Sequence, residues 1–260
     1  MTPFRFALTA LLVFVFSAPG VYAQDRADVF IGFKGGVSIP QLSGGEDNEI
    51  SRDYKSRLAP NFGAFFDIPV SERFSVQPEV NFAGQGGTRN GMQPVTQDIP
   101  GLPPLPPGNF YYADFDNEAV LNYLEIPVLA KYKFGPTGKP RFYVNGGVFY
   151  GRLVSAETKT RGTSTLFLDR DGTIPVLLPP NGDPFPAIPF DADTDVKGDI
   201  NSNNFGFTGG GGFEIPFGAN YLMFDARVSR GIVDIQRDPI NGRSQTGNVV
   251  ISLGWAFGID

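Results

Sequence analysis

Eight stretches of this sequence alternate apolar and polar residues with a period of two. Beyond residue 23, none of useful length repeats with the period of a helix. A period of two sends successive side chains to opposite faces of a strand, so each stretch predicts a strand with one apolar and one polar face. Over 30–39, Ile31, Phe33, Val37 and Ile39 oppose Gly32, Lys34, Gly36 and Ser38. Over 58–68, Leu58, Phe62, Ala64, Phe66 and Ile68 oppose Asn61, Gly63 and Asp67. The cleanest case sets Phe74, Val76, Val80 and Phe82 against Ser75, Gln77, Glu79 and Asn81.

The pattern resumes over 123–134, where Leu124, Ile126, Val128, Ala130, Tyr132 and Phe134 oppose Glu125, Lys131 and Lys133. Over 142–150, Phe142, Val144, Val148 and Tyr150 face away from Tyr143, Asn145, Gly147 and Phe149. A sixth strand, 205–215, carries Phe205, Phe207, Phe213 and Ile215 opposite Thr208, Gly210, Gly212 and Glu214. In the seventh, 221–229, Leu222, Phe224, Ala226 and Val228 oppose Asp225, Arg227 and Ser229. The eighth alternates Val249, Ile251, Leu253, Trp255, Phe257 and Ile259 with Ser252, Gly254 and Gly258.

Composition agrees: 33 Gly, 23 Pro and 25 Phe against 1 Trp and 3 Met suit strands joined by turns rather than helices. The connections fall into two kinds. Those at 69–73, 135–140 and 216–220 are short; those at 40–57, 84–117, 156–203 and 233–246 are long, and the two kinds alternate along the chain. All short turns therefore lie at one rim and all long loops at the other. Single-chain bacterial outer-membrane barrels have an even strand number, short periplasmic turns and longer extracellular loops. The expected fold is all-β, an eight-stranded antiparallel transmembrane β-barrel with both termini periplasmic.

The first residues point to the same compartment. Arg5 precedes an apolar run from Phe6 to Phe16, and Val21-Tyr22-Ala23 forms a small-x-small site before Gln24. The run is shorter than the roughly 20 residues a membrane-spanning helix needs, and Pro19 and Gly20 break it. The prediction is a signal peptide over 1–23 and a barrel domain over 24–260.

Removing that segment takes the net charge from −6 to −7, and no basic block remains, so nucleic acid is excluded as a partner class. An exported chain without cysteine has no disulfide to hold it. The absence of histidine removes Ser-His-Asp hydrolases and His-ligated zinc sites together. The expectation is a protein that is not an enzyme and carries no cofactor or resident metal.

Several stretches resemble one known family. FIGFKGGVS (30–38), FSVQPEVNFAGQGG (74–87) and above all YLEIPVLAKYKF (123–134) are similar to the PorT-like outer-membrane β-barrel proteins of Bacteroidetes-type bacteria. RFYVNGGVFYGRL (141–153) and FGFTGGGGFEIPFG (205–218) extend the likeness over most of the mature chain. What the resemblance implies is a membrane-embedded eight-stranded barrel; a part in protein secretion does not follow from it.

Two faces of such a barrel carry distinct expectations. Phe74, Val76, Val80, Phe82, Leu124, Ile126, Val128, Leu222, Phe224, Leu253, Trp255 and Phe257 should face lipid. Lys34, Asp67, Glu79, Glu125, Lys131, Lys133, Glu214, Asp225 and Arg227 should face a lumen only wide enough to be filled by side chains. Their signs nearly balance, which predicts a structural network of paired charges. The competing chemistry, Glu79 and Glu125 as a paired acid/base site, needs a cavity and a substrate route that the barrel size disfavours. Pro78 and Pro127 interrupt strands where a ladder donor is required, and are expected to mark bulges.

The long loops complete the expectations. Pro100, Pro103, Pro104, Pro106 and Pro107 accompany Phe110, Tyr111 and Tyr112 in one; Pro175, Pro179, Pro180, Pro184, Pro186 and Pro189 stiffen another. Such exposed aromatic and proline-rich segments suit either a binding surface or resistance to proteolysis. Asp191, Asp193 and Asp195 mimic the start of an EF-hand, but Val196 stands where glycine is required and Ser202 where glutamate belongs. That leaves a looser calcium or lipopolysaccharide-bridging site against a merely solvated acidic loop. The 209–212 glycine run lies on a strand with no Lys-Ser/Thr after it, so it suits close wall packing rather than phosphate. The expected partners are outer-membrane lipid and lipopolysaccharide, with an extracellular or secretion-machinery protein on the loops. A monomeric barrel with a structural or surface-interaction role ranks ahead of a small-solute pore and of a lipid-acting enzyme without histidine.

Overall fold

The computed structural model describes residues 29–259; the expected signal peptide lies outside the described residues. Eight long strands follow in chain order: β1 (Val29–Ser43), β2 (Ala59–Pro69), β3 (Phe74–Val95), β4 (Tyr111–Phe134), β5 (Arg141–Arg161), β6 (Asn203–Phe217), β7 (Asn220–Gly231) and β8 (Gln245–Ile259). Each pairs antiparallel with its sequence neighbours, and β8 returns to β1 from Val29↔Ile259 to Ser43↔Gln245, closing the ring. Closure leaves no free edge in the ring, the condition for a sheet to sit in lipid. The ring closes with a stagger. A path leaving β1 at Phe30↔Asp67 crosses Gln77↔Leu129, Gly147↔Thr208 and Ser229↔Asn248 and re-enters β1 at Pro40. Such a stagger tilts the strands about the barrel axis.

The predicted alternation holds strand by strand. Phe33, Phe62, Val80, Leu124, Val148, Phe207, Phe224 and Leu253 are exposed on the outside, while Lys34, Asp67, Glu79, Lys131 and Asp225 are buried within. Large inward side chains fit because facing positions are small. A Cβ on Gly32 would stand 2.2 Å from the Phe65 ring, so only glycine leaves room for that ring.

Three strands are longer than a bilayer requires. About 9–11 tilted residues span the hydrocarbon core, yet β3, β4 and β5 have 22, 24 and 21. Their outward faces record where the apolar belt stops. Along β4 the outward residues run from Leu124 through Asn122 and Val120 to Glu118, Asp116 and Asp114. On β5 they become Glu157, Lys159 and Arg161, with Glu118 opposite Lys159 and Asp116 opposite Arg161. Opposite charges facing each other across strands stabilise by roughly 0.2–1 kcal/mol per pair. At this boundary the β4–β5 register shifts between Asn122 and Tyr123. The extra residue on β5 reverses its phase, so Leu153 and then Ala156 point inward. The Asn122 Nδ2 donates to Ser155 Oγ at 2.9 Å beside the bulge.

This corrects the expectation for the long connections. The 84–117 segment is mostly strand, and only 96–110 joins β3 to β4; the others reduce to 44–58, 162–202 and 232–244. Nor are the remaining residues a loose fringe. Val95, Ile99, Ala113, Phe115, Leu166, Val176, Phe185 and Phe190 form a core of their own, with Phe115 and Phe190 stacked at 4.7 Å between ring centroids. Ala192–Asp195 pairs along the projecting part of β5, from Ala192↔Thr160 to Asp195↔Glu157, and covers its edge.

The expectation of bulges at the prolines also fails. Pro78 pairs with Val128 and Asn81 with Glu125 in one continuous register, so nothing is inserted. The β3–β4 ladder instead lapses at Glu79 and Val80, opposite Pro127 and Ile126. The prolines are diagonal neighbours on two strands, and each has its own lapse: the β2–β3 ladder also skips Pro78 and Gln77, opposite Phe66 and Asp67, without a change of register. Pro127 keeps its place opposite Phe149 on the other side.

Candidate functional site

Inside the ring the polar faces of all eight strands converge. At the middle of the barrel Glu79 accepts from Lys34 Nζ at 2.6 Å and from Arg227 Nη1 at 2.8 Å. It also accepts from Gln77 at 2.7 Å and Asn81 at 2.8 Å. Because β3 and β7 lie on opposite walls of the ring, the Glu79–Arg227 pair crosses the whole lumen. Arg227 Nε stands 2.5 Å from Asp225 Oδ1, an ion pair by distance without hydrogen-bond alignment. Asp225 accepts in addition from Tyr143 Oη at 2.7 Å and Asn145 at 3.0 Å.

A second cluster closes the short-turn end. Asp67 accepts from Lys133 Nζ at 2.8 Å, Lys131 Nζ at 3.3 Å and Tyr221 Oη at 3.0 Å. Lys131 also donates to Glu214, whose other oxygen lies 3.4 Å from Arg141 Nη2. The two clusters are joined. Gln77 donates to Glu79 while accepting from Lys131 at 3.1 Å, and the Lys131 ammonium lies 4.1 Å from the centroid of the Tyr143 ring. Glycine at 212 makes room for that tyrosine, since a Cβ there would meet its hydroxyl at 2.6 Å.

Burying a charge costs several kcal/mol unless it is paired and its remaining hydrogen bonds are met. Most of the predicted lumen residues are ion-paired, and Tyr143, Tyr221, Gln77 and Asn145 supply further bonds, while Asp67 Oδ1, Asp225 Oδ1 and Arg227 Nη2 are left without a hydrogen-bond partner. Glu125 does not join them. It accepts from Gln85 at 3.2 Å and has no ion pair among the described residues. The expected network of paired charges is therefore corrected at Glu125: Glu79 holds two buried cations, Glu125 none among the described residues. Nor do the two share a site, since Glu79 is saturated by four donors.

Apolar layers bracket the network. Phe65, Tyr221, Met223 and Ala256 pack towards the short-turn end. Leu121, Tyr123, Leu153, Ala156, Ile200 and Ile235 pack across the long-loop end of the lumen. Above that second layer lies a cavity of about 470 Å³, walled by β3, β4, β5 and the 44–58, 162–202 and 232–244 connections. A neighbouring chamber of about 650 Å³ lies under the proline-rich 96–110 segment and shares Ile50, Val95, Ile240 and Asn241 with the first. Sequence reasoning missed this cavity, because its wall residues Arg89, Gln93 and Asn117 fall in a stretch read as loop. The alternating outward charges Asp114, Asp116 and Glu118 were the available signal that strand continues there.

The triple-aspartate segment is spent on structure. Asp191 accepts from the Gly162 amide at 2.9 Å, Asp193 pairs with Arg161 at 2.6 Å, and Asp195 accepts from the Lys197 amide at 2.8 Å.

Residues 22–237 match the sequence model of the outer membrane protein beta-barrel domain. This chain belongs to that family. The match spans β1 to β7, and β8 completes the ring beyond it. A family member with a closed ring of eight strands and an apolar outer belt is a transmembrane protein of the outer membrane. No curated protein matches the sequence. Among solved structures, the chain is similar to Ail, the attachment invasion locus protein of Yersinia pestis, at 9% identity over 88% of this chain and 99% of that one, with a TM-score of 0.39. Neisserial surface protein A is 9% identical over 89% and 97%, with a TM-score of 0.42. The outer membrane protease OmpT from Escherichia coli is 11% identical over 89% and 95%, with a TM-score of 0.36. Likenesses at this level carry no assignment of function.

Proposed function

We propose that this family member is a non-conducting, non-enzymatic anchor whose folded long-loop end is a surface-interaction module outside the cell. The observation that carries this reading is the contrast along one barrel. The lumen is bridged wall to wall by Glu79 and Arg227, whereas the long-loop end has a hydrophobic core of its own around Phe115 and Phe190 and holds two chambers that open to the outside. A pore would need the opposite arrangement. An acid/base site would need Glu79 free of its four donors.

The short turns and both termini then lie in the periplasm, and residues 1–23 are a signal peptide cleaved before Gln24. Outer-membrane lipid and lipopolysaccharide contact the apolar belt, and the barrel acts as a monomer. A protein partner outside the cell or in the secretion machinery would meet the projecting loops, which form the contact surface. Epitope tags test the orientation. Tags within 96–110 and 162–202 should be reached by antibody on intact cells, and tags within 70–73 and 135–140 only after permeabilisation; the reverse pattern would overturn the reading.

A further inference from the structure

The wall of the 470 Å³ cavity contains one basic residue among the described residues, Arg89, and its state is unusual. Arg89 is 4% exposed. Its Nη1 donates to the backbone carbonyls of Glu49 at 2.8 Å and Ile50 at 3.3 Å, and its Nη2 has no hydrogen-bond partner. No carboxylate of the described residues comes within ion-pair distance of it. Those nearby are held by other cations: Glu49 by Arg52 at 2.6 Å and Asp53 by Arg170 at 2.5 Å. A buried guanidinium without a counter-ion is expensive, and an anion arriving at the open nitrogen recovers part of that cost. Asp199 and Asp238 are the acids of the wall; they come from the opposite connections, and Asp238 accepts from the Ile240 amide at 3.0 Å.

The rest of the chamber suits an apolar body with a polar head. Phe115, Leu121, Phe190, Ile200 and Ile235 line it. Near Arg89, Asn117 donates to Tyr54 Oη at 3.2 Å, which leaves the tyrosine proton free to donate, while Asn117 Oδ1 has no partner. A volume of this size falls in the range of small-molecule sites, and the second chamber gives a longer body room to extend.

We propose that this cavity binds a small amphiphile with an anionic head, the head on Arg89 and the apolar body against Phe115 and Phe190. The inference rests on the long-loop end being a binding module and names the chemistry it takes. A carboxylate and a phosphate monoester share that chemistry, so both are tested.

The experiment uses the full mature barrel folded in zwitterionic lipid nanodiscs and follows binding of 2-naphthoate, 2-naphthyl phosphate, 2-naphthylmethanol and 2-naphthylmethylamine by equilibrium dialysis. At least one anion should bind saturably, ten-fold or more tighter than the alcohol, and the amine should not bind; which anion is tighter assigns the head group. Arg89→Gln should remove that preference. Because Arg89 also holds the 44–58 connection, Ala119→Phe is the second variant: it fills the chamber, leaves Arg89 in place, and should weaken every ligand ten-fold or more. Equal binding of acid and alcohol, or wild-type anion affinity in both variants, would overturn the proposal. Failure to bind in a protein whose 96–110 tag is exposed on cells rejects the ligand alone, whereas a concealed tag rejects the orientation beneath it.

Discussion

Glu79 and Arg227 meet at 2.8 Å from opposite walls of the barrel, so an ion pair spans the centre of the lumen. Since Glu79 also holds Lys34 at 2.6 Å, one carboxylate neutralises two buried cations. Glu79→Gln should therefore destabilise the barrel by about 3–5 kcal/mol, the cost of leaving buried charge unpaired. Denaturant unfolding in lipid vesicles measures it; a loss below 1 kcal/mol would mean that water reaches the site.

Glu125 lies on β4 near the same region but among the described residues accepts a hydrogen bond only from Gln85. Glu125→Gln keeps an amide–amide hydrogen bond and strands no cation, so the expected change is about 1 kcal/mol or less in the same assay. Equal losses for the two variants would contradict the separation between them.

The crossed lumen has an electrical consequence. Purified monomer in planar bilayers should show no steady porin-like conductance, because Tyr143, Phe149, Lys131 and the Glu79–Arg227 pair fill the section between two apolar layers. Stable channels from the wild-type protein would refute the filled lumen.

Strand continuation past the apolar belt is open to hydrogen exchange. Backbone amides of 84–95 and 111–122 are laddered from Gly84↔Asn122 to Val95↔Tyr111. They should exchange far more slowly than those of 96–110. Uniformly fast exchange over 84–117 would restore the loop inferred from sequence.

Glycines divide by what surrounds them. A Cβ on Gly206 would meet Arg230 O at 2.1 Å and the Phe149 ring at 2.5 Å, whereas one on Gly35 would meet nothing within 4 Å. Gly206→Ala should cost about 1–3 kcal/mol. Gly35→Ala should stay within about 0.5 kcal/mol of wild type, and vesicle unfolding compares them directly.

The membrane-spanning part of this fold was legible in the sequence because period-two alternation is a local property: once Phe74, Val76, Val80 and Phe82 share a face, so do Gln77 and Glu79, whatever the partners are. Strand number and the segregation of short turns from long connections followed from counting along the chain. What only the tertiary structure decided depends on residues far apart in sequence. Glu79 joins Arg227, and Glu125 joins no cation, because barrel stagger sets which inward positions share a level. The bulge beside Asn122 and the ladder gaps at Pro78 and Pro127 are properties of paired strands, invisible in either strand alone. The folded long-loop end escaped sequence reading for a related reason: above the apolar belt the alternation along β4 inverts, with Ala113 and Phe115 inward and Asp114 and Asp116 outward, so the apolar-out signature of a strand in lipid ends while the hydrogen-bonded ladder continues. Arg89 lay within that stretch, and only the packing of the 44–58 connection against it shows it buried without an ion pair among the described residues.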